Sequence, residues 1–135
     1  MTPKEVALQF VTAINAHDVD RLTSLMTPDH RFVDSLGAAV EGRDAMRQGW
    51  TAYFGMVSDY RLEFSRSFVA EDGKAEVILV GVASGSYWSN GIKLPDSSWS
   101  TPAAARASIR DGQVTEWQVY ADNEPIREQI RAASV

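Results

Sequence analysis

Asp34 is the residue of this 135-residue chain that first invites a chemical question. It closes the short alternating run HRFVDS, in which His30, Phe32 and Asp34 share one side and Arg31, Val33 and Ser35 the other. A carboxylate on the inward side of a strand, beside Phe32 and opposite an aromatic helix, would lose its water and become suited to taking a proton near neutral pH. The same Asp, standing before SLG, could equally cap the loop by accepting backbone N–H groups, as in an Asx turn. Spacing alone leaves both readings open.

The second group is aromatic. Of the four tryptophans Trp50, Trp88, Trp99 and Trp117, Trp117 shares its strand face with Val119 and Ala121. For any one of them, core or interface packing is the commoner role. On the preceding strand, alternation puts Trp99, Thr101, Ala103, Ala105 and Ala107 on one side. Small side chains on an inward face leave volume that a close-packed core would fill. Space opposite tryptophans fits a flat, apolar, cyclic small molecule. His30 lies four residues from Asp34, about 13 Å at roughly 3.3 Å per residue, too far for a direct pair. His17 stands beside Asp18 in a turn. Two distant histidines give no metal-ligand spacing, and neither a serine nucleophile elbow nor a glycine-rich phosphate loop occurs. No metal and no cofactor is expected.

Composition narrows the class further. With 44% apolar residues the chain can bury an ordinary core as one domain, residues 1–135. A formal charge of -5 with scattered Lys and Arg argues against a nucleic-acid partner, and the absence of cysteine excludes thiolate chemistry. No apolar run approaches the roughly 18 residues that a membrane helix needs. The N-terminus TPKEVALQFVTAINAHD lacks the pattern of a secretion signal, so the expectation is a soluble cytoplasmic protein without a membrane partner.

The elements that must position Asp34 and the tryptophans follow from periodicity. Thr2, Pro3 and Glu5 open a helix carrying Val6, Phe10, Val11 and Ile14. Asp18 caps a second, with Leu22, Leu25 and Met26 on one face and Pro28 stopping it. After the HRFVDS strand a third helix begins past Gly42 and carries Met46, Trp50, Tyr53, Phe54 and Val57. Strands are expected over about 60–70, 75–88, 97–109 and 113–121, divided by the turn signals EDGK, SNG and RDG. Asn123 to Val135, with Pro125 near its start, reads as a short helix or tail. Helices followed by an antiparallel meander make an α+β fold.

This order of elements resembles the nuclear transport factor two-like superfamily, which includes ketosteroid isomerases, SnoaL-type polyketide cyclases and limonene epoxide hydrolases. The resemblance runs over nearly the whole chain and is carried by FVTAINAHDVDRLTSLMTPDHRFVDSLG, EGRDAM and DGQVTEWQVYADNEP. It implies a cone-shaped α+β barrel with the N-terminal helices packed in a curved antiparallel sheet. It also implies that Asp34 stands where isomerases keep their general base. The isomerase oxyanion donors fall on Phe10 and Ala105 here, and the supporting tyrosines on Met26 and Trp50, which leaves open whether Tyr53, Tyr60 or Tyr87 supplies a donor from a new position. The catalytic Asp of the cyclases and hydrolases falls on Val119, with Asp122 displaced by three residues. Ligand contacts are then expected from Phe10, Ile14, Phe32, Trp50, Phe54, Trp88, Trp99, Ala103, Ala105, Trp117 and Val119. The outer face of the last strand, with Gln118 and Tyr120, is the expected homodimer surface. Two functions compete: an isomerase or cyclase using Asp34 as base on an apolar cyclic substrate, and a non-catalytic carrier or accessory subunit in which Asp34 is structural.

Overall fold

The first helix starts where its caps put it. In the computed structural model, which describes residues 1–70, 72–124, 127, 128 and 131, the Thr2 hydroxyl accepts the Glu5 N–H and helix α1 spans Pro3–Asn15. Its face of Val6, Phe10, Val11 and Ile14 is buried. Asp18 caps α2 (Val19–Ser24) by accepting the Arg21 N–H. Strand β1 then spans Met26–Val33, earlier than His30, and Pro28 lies within it instead of stopping a helix at residue 28. The reason is the neighbouring strand. The Val114 N–H already donates to the Leu25 carbonyl at 2.7 Å, and Pro28 falls where the pairing is irregular and no ladder N–H is required.

A short strand β2 (Ala39–Glu41) and helix α3 (Arg43–Met56) follow, and then β3 (Arg61–Val69) and β4 (Glu76–Gly85). The expected strand over 75–88 ends early, because Trp88–Ser89 (β5) pairs with Ile92–Lys93 (β6) as a separate hairpin. Asn90 and Gly91, both at positive φ, make its two-residue turn. Strands β7 (Trp99–Arg110) and β8 (Gln113–Ala121) are joined in the same way through Asp111 and Gly112. Most of the expected C-terminal helix or tail, Pro125 included, lies outside the described residues.

The main sheet runs β2-β1-β8-β7-β4-β3 and stays open at its edges. Its meander is antiparallel as expected, but β1 joins β8 in parallel, which a reading of hairpins alone could not show. Curvature is set partly by a bulge in β3 between Phe64 and Arg66, opposite Gly81. A Cβ on Gly81 would lie 1.9 Å from the Glu63 carbonyl oxygen. On the inner face, α1 packs on β3, β4, β7 and β8, with the Phe10 ring 4.9 Å from Trp117. On the outer face Val80, Ala104 and Tyr120 stand in one cross-strand row, with Val82 and Pro102 in the next. Arg106 beside them bonds Glu76 at 2.6 Å, Glu116 at 2.9 Å and Gln118 at 2.8 Å.

His30 is fully buried against Phe10. Its Nδ1 lies 2.7 Å from the Val114 carbonyl, which can only accept, so Nδ1 carries the proton. Nε2 has no partner among the described residues. Burial pushes the imidazole below its usual range, outweighing the Val114 bond and the nearby charges of Glu116 and Asp29.

Two stability predictions come from these features. Gly81→Ala should cost about 3 kcal/mol and lower Tm on the order of 10 °C, whereas Gly55→Ala, whose added methyl meets open space on α3, should raise stability by roughly 0.5–1 kcal/mol. Equal melting of the two variants would contradict the bulge geometry. For His30, the unfolded chain binds a proton more readily than the folded one, so stability is full above the unfolded value of about 6.5 and falls as pH drops below it. Thermal melts between pH 7 and pH 5 should show this fall, and His30→Leu should flatten it.

Candidate functional site

Helix α3 and the inner sheet face leave a cavity of about 470 Å³ between them. The helix contributes Ala45, Met46, Gly49, Trp50 and Tyr53, which recur at helical spacing on one face. The floor comes from the inward residues of the sheet: Ala83 on β4, Trp99 and Thr101 on β7, and Val119 and Ala121 on β8. One wall is the end of β1 with the loop after it, from Phe32 to Leu36, closed by Val40 and Asn123. The opposite wall is aromatic, built from Tyr60 ahead of β3 and Tyr87 after β4.

Trp50 joins the two walls. Its ring lies 6.0 Å from Phe32, edge-on, and 6.2 Å from Tyr53 and 6.4 Å from Tyr60 on the other side. Tyr60 in turn meets Tyr53 at 4.9 Å and Trp99 at 6.1 Å. Such tilted and edge-on contacts are the favoured arrangement for aromatic quadrupoles and hold the rings in place. Burial drives the phenols of Tyr53, Tyr60 and Tyr87 above the ordinary tyrosine range, and for Tyr53 the nearness of Tyr60 and Tyr87 adds to the effect. All three stay protonated, and so remain donors, at any pH the fold would meet. Their hydroxyls bond no other described protein group.

Asp34 sits half-buried at the rim, one residue beyond β1. Its Oδ1 accepts the N–H groups of Leu36 and Ala38, each at 2.9 Å. Its own N–H donates to the Ala38 carbonyl, and its carbonyl accepts the Gly37 N–H. Gly37 stands at φ 85°, a conformation the tight loop requires and that most side chains resist. Oδ2 makes no hydrogen bond among the described residues. The Asn123 side-chain amide donates to the Ser35 hydroxyl, tying the chain after β8 to this loop. Arg127 also borders the cavity and pairs loosely with Glu124 at 4.0 Å.

Of the residues singled out from sequence, Phe32, Asp34, Trp50, Trp99 and Val119 border the cavity. Phe10, Ile14 and Trp117 do not; all three are fully enclosed in the core that α1 makes with the sheet. Ala103 and Ala105 do face inward, but α1 lies against β7, so their small size is matched by a helix and not left open. Phe54 turns away from the cavity and stacks on His17 at 4.2 Å. Trp88 lies on the β5–β6 hairpin, where its indole N–H donates to the Ser86 hydroxyl at 3.1 Å. Met46, Gly49 and Tyr53 were readable from the spacing around Trp50. Tyr60, Tyr87 and Asn123 come from loops, where no periodicity marks an inward side. Among the described residues, no three His, Asp or Glu side chains gather as metal ligands would, and no helix is long and apolar enough to cross a membrane.

The chain matches solved structures over almost its full length. One is a protein of ketosteroid isomerase-like fold from Catenulispora acidiphila, crystallised with trimethylamine: 22% identity, TM-score 0.77, covering 96% of this chain and 93% of that one. Another is a candidate SnoaL-like polyketide cyclase from Shewanella denitrificans, at 14% identity and TM-score 0.80, covering 96% and 97%. A third, a candidate polyketide cyclase from Xanthomonas campestris, gives 21% identity and TM-score 0.77, covering 97% and 96%. No curated protein matches the sequence. These likenesses are to the fold, the cone of the nuclear transport factor two-like superfamily, with α1 packed on an open curved sheet of six strands. The SnoaL-like domain family itself matches residues 7–117, and the chain belongs to that family.

Proposed function

We propose that the cavity binds a flat, apolar, cyclic small molecule and that Asp34 acts on it as a general base, in an isomerisation or cyclisation by proton transfer. The observation that carries the reading is the state of the Asp34 carboxylate. It is the one acidic group among the described residues that border the cavity, and two N–H bonds at Oδ1 fix its orientation while Oδ2 stays unengaged. A fixed carboxylate beside an apolar cavity can take a proton from the carbon next to a bound carbonyl. It then returns the proton to another carbon, or the carbanion attacks a second carbonyl within the same molecule, closing a ring, and the alkoxide so formed takes the proton back. The candidate polyketide cyclases among the structural neighbours fit that class of substrate. A volume of about 470 Å³ is in the range of sites for molecules of two or three rings.

The same two N–H bonds support a second reading, in which Asp34 only closes the loop and the protein is a carrier. The outer sheet face bears on association in either case. Val80, Val82 and Tyr120 are each more than a third exposed there, beside the Arg106 network, and we assign this face to a twofold homodimer.

Asp34→Asn separates the two readings because the amide keeps an acceptor at Oδ1. Deuterium exchange next to the carbonyl of 2-tetralone, a flat bicyclic ketone, should be accelerated by the wild type and fall by at least about 100-fold in the variant. Melting temperature and 2-tetralone binding should stay unchanged. Equal exchange with both proteins would leave the carrier reading standing. For the dimer, light scattering at micromolar concentration should give twice the chain mass, and Val80→Lys with Tyr120→Lys should halve it; a monomeric wild type would refute the assignment.

A further inference from the structure

Apart from Thr101 on the floor, whose hydroxyl donates to the Asp122 carbonyl, and Arg127, the polar side chains bordering the cavity fall in two places on opposite walls, with the paired Ser35 and Asn123 on the side of Asp34. At one stands Asp34, beyond β1; at the other stand Tyr53, Tyr60 and Tyr87. Strands β1 and β4 are separated by β8 and β7, three spacings of about 4.8 Å in a flat sheet, and curvature shortens the direct path. Along α3, Ala45 and Tyr53 are eight residues apart, about 12 Å at roughly 1.5 Å per residue. The two polar places are therefore ends of a site and not halves of one contact.

The tyrosine end has the marks of an unmet hydrogen-bonding site. Tyr60 is only 8% exposed, yet its hydroxyl bonds no described protein group and is not sealed from solvent as the indole N–H groups of Trp50 and Trp99 are. Tyr60 borders the cavity, so the cavity is where a partner for its oxygen would be found. Tyr53 packs edge-on against it, and Tyr87 comes from the loop that follows β4. Phenols enclosed by aromatic rings and lacking partners are costly unless something fills their bonds. Each can donate, and an oxygen with two lone pairs can accept from two of them.

We propose that the hydroxyls of Tyr53, Tyr60 and Tyr87 form a subsite for a second acceptor oxygen, a ketone or a phenol oxygen distinct from the carbonyl beside Asp34, carried by the ligand at the end remote from Asp34. This rests on the reading that the cavity is a small-molecule site, and it deepens that reading. The ligand is a two-ended planar molecule of two or three fused rings, its oxygen seated between the tyrosines and its other edge at the loop of Asp34. Proton abstraction at Asp34 and recognition of that oxygen then fall on opposite ends of one molecule. Charge generated at one end would reach the donors only through conjugated bonds, so the substrate class is a conjugated or aromatic polycycle.

The test uses two probes of one shape, naphthalene and 2-naphthol, measured by equilibrium dialysis on the full chain. Wild type should bind 2-naphthol more tightly than naphthalene. Tyr60→Phe, which keeps the ring and removes the oxygen, should weaken 2-naphthol by roughly fivefold and change naphthalene by less than about twofold. Tyr87→Phe, in a less enclosed position, should act in the same direction and decides the matter if Tyr60→Phe melts early. Equal loss for both probes would mean that the tyrosines only pack, and no loss for either would mean that they do not touch the occupant; each result overturns the subsite. If wild type binds both probes equally, the cavity reading survives and the subsite falls. If it binds neither, both fall together.

Discussion

The backbone of Val114 is held from two sides: its N–H donates to the Leu25 carbonyl and its carbonyl accepts from His30 Nδ1, each at 2.7 Å. This joint attaches the helical first part of the chain to the sheet formed by the last part. From it β1 runs parallel to β8, with Phe32 level with Trp117 and Val33 with Gln118. The loop of Asp34 is thereby delivered to the rim of the cavity, on the side of Val119. The enclosed imidazole is then the cost of having a side chain complete a ladder at an irregular place. An apolar residue there would pack as well but would leave the Val114 carbonyl without a partner.

The cavity exists because two helices use the same sheet face differently. Helix α1 lies close over the alanines of β7 and the Phe10–Trp117 pair and fills its share of the cone. Helix α3 is held further off by the ring of Trp50 and its aromatic neighbours. Those rings brace one another across the opening, so the space stays apolar and shaped without being filled. Tyr53 on α3 and Thr101 on β7 apart, the polar groups that remain come from segments outside the regular elements, as in sites where a rigid scaffold presents variable segments.

Much of this was legible in the residues. Caps at Thr2 and Asp18, the helical spacing of Phe10 and Ile14, and the turns at Asn90–Gly91 and Asp111–Gly112 placed the helices and the meander. The strands of the meander were also readable within a few residues. Three features escaped for a shared reason, namely that they depend on partners distant in sequence. Pro28 reads locally as a helix stop, but the pairing with β8 makes it part of a strand. The inward alanines of β7 read as unfilled space, but a helix covers them. Trp117 reads as a pocket wall, but Phe10 closes over it. At the site itself, period-two alternation found Phe32, Trp99 and Val119, and the ambiguity of Asp34 was visible from SLG. Tyr53, Tyr60 and Tyr87 could be named from the sequence as tyrosines able to supply a donor from a new position, but spacing could not choose among them, and only the fold brings all three to the cavity.

Strand β7 carries Thr101 to the cavity floor and its neighbours Pro102 and Ala104 to the outer face. Ligand and outer surface are separated by the thickness of a single pleat. Because the two sets alternate along one strand, the chain length between its turns is under tighter constraint than the identity of most residues in it. Gaining or losing one residue within β7 between Trp99 and Thr101 that shifted the register by one place would exchange the faces, sending Pro102 into the cavity and Thr101 outside. Lineages of this domain are therefore free to change the lining by substitution, while insertions and deletions must collect in the turns and in the β5–β6 hairpin, where an added residue leaves the pleat in phase.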